Sequence, residues 1–213
     1  MKRRTELPQS WLVAASITPF VACGPTSEAD RLDHWGPIDG PFAVSEYFAP
    51  SGHMGDGETP GHIVVDVAND NCANRPPGAR GDCYRFTYTP GNLLWAGVYW
   101  QYPANNWGTR PGRSTLPIFK SVKFYAATDT DGLSVQFITG GIQNPAFPYA
   151  DQFRDGIFEK VGFDWKPFTI DVSFETTYDA VIGAFAWVTS YPTGTDPTGA
   201  PPTVLYLDDI VWE

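Results

Sequence analysis

From residue 40 onward, hydrophobic and polar positions alternate in short runs cut by Gly, Pro, Asn and Asp. The clearest cases are 133–137, Leu-Ser-Val-Gln-Phe, and 168–172, Phe-Thr-Ile-Asp-Val. A period of two puts every second side chain on the same face of a strand, so each run would bury one face. The pattern predicts strands at 62–67, 83–88, 94–100, 119–126, 133–138, 167–173, 181–189 and 203–211. No stretch sustains a 3.6-residue period, and the 20 prolines and 21 glycines fall largely between these runs. About eight short strands separated by turn signals predict an all-β domain, a jelly-roll β-sandwich of antiparallel strands in two sheets. The longer gaps, 101–118, 139–165 and 190–202, are expected to be loops.

The first 40 residues follow another logic. Lys2, Arg3 and Arg4 precede a largely apolar, uncharged stretch over 11–22. That stretch is shorter than the roughly 20 residues a membrane-spanning helix needs, and with a basic start it describes a secretory signal peptide. The break falls at Phe20-Val21-Ala22-Cys23-Gly24. A Cys at this place resembles the lipobox of bacterial lipoproteins, which implies acylation of Cys23. Residues 1–22 are expected as signal peptide, 23–40 as a lipid-anchored tether and 41–213 as the folded domain. The protein would then reside at the cell envelope, touching the membrane only through its lipid. Secretion without lipid and a buried N-terminal segment are the alternatives.

With Cys23 lipidated, Cys72 and Cys83 remain, 11 apart, around a loop that holds Pro76, Pro77, Gly78 and Gly81. No matching His pair accompanies them, so a disulfide is expected rather than zinc, in keeping with an oxidising compartment. The whole chain carries 14 basic and 24 acidic residues, and removal of residues 1–22 leaves 11 against 23. Such a surface repels phosphate backbones, so nucleic acid is not an expected partner. About 170 residues suffice for one well-buried core, and the chain is read as a single-domain monomer.

The densest chemical signal is 94–108, where five aromatics (Trp95, Tyr99, Trp100, Tyr102, Trp107) fall within 13 residues of a chain that is 15% aromatic. Alternation puts Trp95, Gly97 and Tyr99 on one face of the strand and Ala96, Val98 and Trp100 on the other. One aromatic set should enter the core and the other lie near the surface. Tyr102 and Trp107 lie beyond the strand, beside Asn105, Asn106, Gly108 and Arg110. Pyranose rings offer an apolar C–H face to an aromatic ring, and their hydroxyls pair with amides and guanidinium groups. The candidate glycan contacts are therefore Trp107 first, then Tyr102, Trp95, Tyr99, Trp100, Asn105, Asn106 and Arg110. The alternative for each aromatic is a place in the core.

The terminal strand ends Leu205-Tyr206-Leu207-Asp208-Asp209-Ile210-Val211-Trp212. Two carboxylates inside an apolar strand are costly if buried unpaired, and a calcium ion would relieve them. Asp208 with Glu46 or Asp56 is the expected ligand set, because first and last strands often lie side by side. The alternative is that one Asp faces solvent while the other caps a turn.

This terminal strand resembles the closing strand of carbohydrate-binding modules with the galactose-binding-like jelly-roll fold. Residues 165–173, Trp-Lys-Pro-Phe-Thr-Ile-Asp-Val-Ser, are similar to the strand that precedes it there. Residues 121–126 and 181–187 are similar to the paired core strands of that family. The resemblance covers most of 42–213 and implies a non-catalytic sugar-binding sandwich, with a structural calcium that would fall on Asp208 and Glu46. The aromatic segment and the Cys72/Cys83 loop are not general family features.

An enzyme is not expected. Gly-x-Ser-x-Gly and His-Glu-x-x-His motifs are absent, and His34, His53 and His62 are scattered. Glycosidases need two carboxyls facing one cleft. The closest grouping, Asp151, Asp155 and Glu159, lies in a stretch whose Pro145, Pro148 and Gly156 indicate a loop. A structural or adhesive surface protein on the same fold, or a glycoside hydrolase or polysaccharide lyase, stand as alternatives.

Overall fold

A computed structural model describes residues 36–67, 72, 75–79 and 82–213. The expected signal peptide and Cys23 lie outside the described residues. The strands are β1 (Phe42–Ala43), β2 (Ala49–Gly55), β3 (Ile63–Val67), β4 (Tyr84–Tyr88), β5 (Trp95–Gln101), β6 (Arg113–Ser114) and β7 (Ser121–Thr128). They continue with β8 (Leu133–Gly140), β9 (Arg154–Val161), β10 (Lys166–Asp171), β11 (Ala180–Val181), β12 (Gly183–Ser190) and β13 (Thr203–Trp212). Each of the eight sequence-derived strands is present, with ends displaced by at most two residues. The stretch 139–165 departs from expectation, because β9 runs through it instead of a loop.

Two antiparallel sheets form the sandwich. One has the order β10-β7-β13-β4-β3, with β1 also paired to β13, and the other has the order β2-β5-β12-β8-β9. Phe42 lies opposite Trp212 and Ala43 opposite Val211, so the first and last strands do lie side by side. Aromatic rings join the sheets: Phe124 meets Phe137 at 4.6 Å and Phe185 at 4.8 Å, and Tyr84 meets Trp100 at 5.0 Å between centroids. Such pairs add about 0.5–1.5 kcal/mol each beyond the area they bury.

The terminal strand shows how sequence spacing sets local geometry. Leu205 and Leu207 face the core at a spacing of two, but the next core residues are Ile210 and Trp212. A regular strand would bury Asp209 instead of Ile210. A bulge between Asp208 and Val211 absorbs the extra residue, with Asp209 at φ 48°. Cys72 and Cys83 form a disulfide with a Cα–Cα distance of 6.1 Å. That staple holds the loop bearing Arg75 against this bulge.

Candidate functional site

Strand β5 divides its side chains as the alternation requires. Ala96, Val98 and Trp100 belong to the core cluster, whereas Trp95, Gly97 and Tyr99 face out of the five-stranded sheet. Trp100 is fully buried between Tyr84, Phe86 and Phe185, so it is a core residue and not a glycan contact. Tyr102 is also buried, edge-on to Phe48 at 6.2 Å, and leaves the candidate set for the same reason.

The loop after β5 is built around Asn106, whose side chain is fully buried. Its Nδ2 donates to the carbonyls of Tyr102 at 3.0 Å and Arg110 at 2.8 Å. Its Oδ1 accepts from the amides of Gly108 and Arg110, each at 3.1 Å. Both ends of the amide are used, so Asn106 shapes the loop and cannot serve a ligand, contrary to the sequence expectation. Asn105 and Arg110 remain exposed, although the Arg110 guanidinium already donates to the Ala104 carbonyl at 2.7 Å. Gly108 sits at φ 102°, and a Cβ there would clash with the Tyr149 carbonyl, so only glycine permits the closure that follows Trp107.

This closure brings Trp107 back over the sheet, half-buried, with its ring edge-on to Tyr99 at 5.9 Å. Tyr99 donates its hydroxyl to the Gly140 carbonyl at 3.2 Å, and burial pushes its phenol up to about 12. Around this pair lies a depression of about 410 Å³, lined among others by Met54, Ile138, Gln143, Asn144 and Arg154. A second depression, bounded by Ser51, His53, Glu58 and Asn105, shares Trp107. The indole thus stands between two hollows.

The surrounding floor is low because small residues occupy the outward register. Tyr99 lies opposite Gly52 and Ala186, Ile138 opposite Ala186 and Gly156, and Gly97 opposite Met54 and Val188. A Cβ on Gly97 would come within 2.8 Å of the Met54 methyl and 2.5 Å of the Trp187 carbonyl. Trp95, 37% exposed, and Phe158, 75% exposed, rise from this face on β5 and β9. Large exposed apolar side chains grouped on one face mark binding surfaces. Sequence reasoning missed Phe158 and Arg154, because Gly156 made their segment look like a loop. The signal was present: Ile157 and Val161 alternate with the exposed Arg154, Phe158 and Lys160.

Beneath the depression, Asp151 is buried. Its Oδ1 accepts the Ile182 amide at 2.6 Å, and its Oδ2 accepts those of Ile142 at 3.0 Å and Gly183 at 3.2 Å. Burial pushes its carboxyl up to about 6, against the pull of the three amides. Asp151 therefore fastens the 141–151 loop to the start of β12. Asp155 projects from β9 on the face opposite to Arg154, so the Asp151, Asp155 and Glu159 grouping does not form one acidic face.

The carboxylates expected to hold calcium are engaged elsewhere. Asp208 is fully buried, and both of its oxygens accept from Arg75, from Nε and Nη2, each at 2.6 Å. Asp56 accepts from the Tyr88 hydroxyl at 2.7 Å and the amides of Gly91 at 2.8 Å and Leu93 at 2.9 Å. Burial raises its carboxyl, but these donors together outweigh burial and hold it below the ordinary carboxylate range. Glu46 is exposed in a single turn over Val44–Glu46. Among the described residues no group of three His, Cys, Asp or Glu side chains comes together. A guanidinium lies where the cation was expected, so these residues do not fit calcium as a shared set.

No protein-family profile matches the chain, and no curated protein sequence does. Solved structures do match. A family 30 carbohydrate-binding module aligns at 14% identity with a TM-score of 0.50, over 82% of this chain and 99% of that one. The family 11 module of the cellulosomal cellulase Lic26A-Cel5E of Clostridium thermocellum aligns at 11% identity and TM-score 0.47, over 83% and 95%. The family 11 module from Clostridium thermocellum in complex with a β-1,3-1,4-mixed-linked tetrasaccharide aligns at 11% and 0.43, over 77% and 96%. At these identities the likeness is one of fold: this chain has the antiparallel β-sandwich of the family 30 module.

Proposed function

We propose that this protein binds polysaccharide without cleaving it, along the outward face of the five-stranded sheet. The observation that carries this reading is the combination on one face of Trp95, Trp107 and Phe158, above the buried ring of Tyr99, with a floor of Gly and Ala. A low floor admits a sugar chain, and aromatic rings give its C–H faces an apolar partner. Gln143 and Asn144 at the rim supply amide partners for hydroxyls. The shared fold with a carbohydrate-binding module supports the same reading. Affinity electrophoresis of the purified protein against a panel of polysaccharides tests it, alongside a reducing-sugar assay on each polymer that retards it. Retardation with no release of reducing ends is the expected result, and release of reducing ends overturns the non-catalytic part.

The same proposal places the protein at the cell envelope, exported and held by lipid on Cys23. Cys23→Ser should release it from the membrane fraction, and a wild-type protein found soluble overturns the anchor.

A further inference from the structure

Across β2, β5, β12, β8 and β9 the only Asp, Glu, Lys or Arg residues are Arg154, Asp155, Glu159 and Lys160, all on β9. Register sorts them by sign. Asp155 lies opposite Thr139 and Glu159 opposite Val135, both buried positions on the core side. Arg154 lies opposite Gly140 and Lys160 opposite Ser134, in phase with Gly156 and Phe158 on the outward face. Every formal charge that these strands turn outward is therefore positive, in a chain whose net charge is −10.

The other sheet behaves differently. On its outward side Lys123 pairs with Glu213 and Arg85 with Asp66, and Arg75 from the loop between β3 and β4 pairs with the buried Asp208. Among the described residues Arg154 and Lys160 form no such ion pair with a carboxylate, and Arg154 instead approaches the Tyr99 hydroxyl. Arg154 packs on Gly141 and lines the depression at Tyr99 and Trp107, whose described lining holds no carboxylate, whereas Glu58 borders the second depression.

Resting on the glycan-binding reading, we propose that the ligand is an acidic polysaccharide whose uronate carboxylates meet Arg154 and Lys160 while its rings lie on the aromatic face. A guanidinium matches a carboxylate with two parallel hydrogen bonds, which a neutral hydroxyl cannot reproduce. Six residues of strand separate the two cations, roughly 20 Å at about 3.3 Å per residue, so a ligand reaching both must be a chain. The acidic remainder of the protein does not forbid this. At physiological salt the Debye length is about 8 Å, so a polymer on this face senses the cations it touches far more than carboxylates across the sandwich.

The test uses the purified full chain and two sets of probes. Polygalacturonate, alginate and glucuronoxylan carry carboxylates; methyl-esterified pectin, mixed-linkage β-glucan and glucomannan do not. At least one acidic polymer should bind ten times more tightly than every neutral one. Its affinity should fall at least tenfold in Arg154→Gln/Lys160→Gln, and should fall on raising salt to 1 M. A neutral polymer bound as tightly as any acidic one, or unchanged binding in the double variant, overturns the acidic assignment and leaves the glycan-binding reading standing. Binding to neither set overturns that reading, and the assignment with it.

Discussion

The two outward faces of the sandwich handle charge in opposite ways. The six-stranded sheet turns out Lys123 and Arg85, each matched by a carboxylate, and Arg75 from the loop between β3 and β4 covers its Asp208. The five-stranded sheet turns out Arg154 and Lys160, which meet no carboxylate among the described residues, with Trp95, Trp107 and Phe158 above the buried Tyr99 and a floor of Gly and Ala. The second carries exposed aromatic area and cations that meet no carboxylate among the described residues, which is what the proposed ligand surface requires. On the proposed function, one face serves stability and the other recognition, and substitutions on the two should separate these properties.

The sharpest break is expected at Arg75. Removing one partner of a buried ion pair commonly costs about 3–5 kcal/mol, because the other charge stays buried and unpaired. Arg75 is 20% exposed at its side chain and Asp208 not at all, so the lower end applies to Arg75→Ala. Chemical denaturation should show this loss while polysaccharide affinity stays unchanged. Excess chelator should leave the wild-type melting temperature unmoved, since a guanidinium already serves Asp208.

On the binding side the buried charge is held by amides instead of a cation, and pH should reveal it. An unfolded Asp titrates near 3.9, whereas Asp151 is pushed up to about 6 in the fold. Between these values the folded state keeps a proton that the unfolded chain has released. Stability from this group is therefore greatest at and below pH 4 and declines as pH rises to 6, by about 3 kcal/mol. Asp151→Asn should flatten that slope in denaturation curves measured from pH 4 to 6, and an unchanged slope contradicts the assignment. Asp56 acts with the opposite sign, since its lowered carboxyl adds stability that is lost only as pH falls below 4.

The disulfide should contribute somewhat less. Closing an 11-residue loop stabilises by about 2–3 kcal/mol on the chain-entropy account. Cys72→Ser/Cys83→Ser should lose that amount by denaturation, again with binding intact. Loss of binding in this variant would blur the division between the faces.

The core strands were legible because each has apolar residues at a strict spacing of two. Besides the two-residue β1 and β6, what escaped were β2 and β9, the two edges of the five-stranded sheet. An edge strand pairs on one side only, so β2 tolerates Pro50 and Gly52, and β9 tolerates Gly156 and alternating charges. Those features mimic a loop in sequence. The recognition face depends on both edges, so the candidate site was half legible. Trp95, Tyr99 and Trp107 were found by composition and alternation, whereas Arg154, Phe158 and the Gly52 floor were not. Trp100, Tyr102 and Asn106 were overcounted, because composition alone does not distinguish a ligand contact from a buried ring or a loop-closing amide. The calcium expectation had the same weakness: the buried Asp208 did need a positive partner, and Arg75 supplies it from a segment far away in sequence.

The central claim is that recognition belongs to the five-stranded face, and one matched pair of variants tests it most directly. Trp107→Ala removes the indole between the two hollows, and Tyr206→Ala removes a half-buried ring near Trp165 on the other sheet. Truncating a stacking aromatic in a binding site costs about 2 kcal/mol or more, roughly a thirtyfold loss of affinity. Affinity electrophoresis on the retained polysaccharide should show that loss for Trp107→Ala, with the protein still cooperatively folded, and wild-type retention for Tyr206→Ala. Wild-type retention in a folded Trp107→Ala protein, with retention lost in Tyr206→Ala, would move recognition to the opposite face and contradict the account.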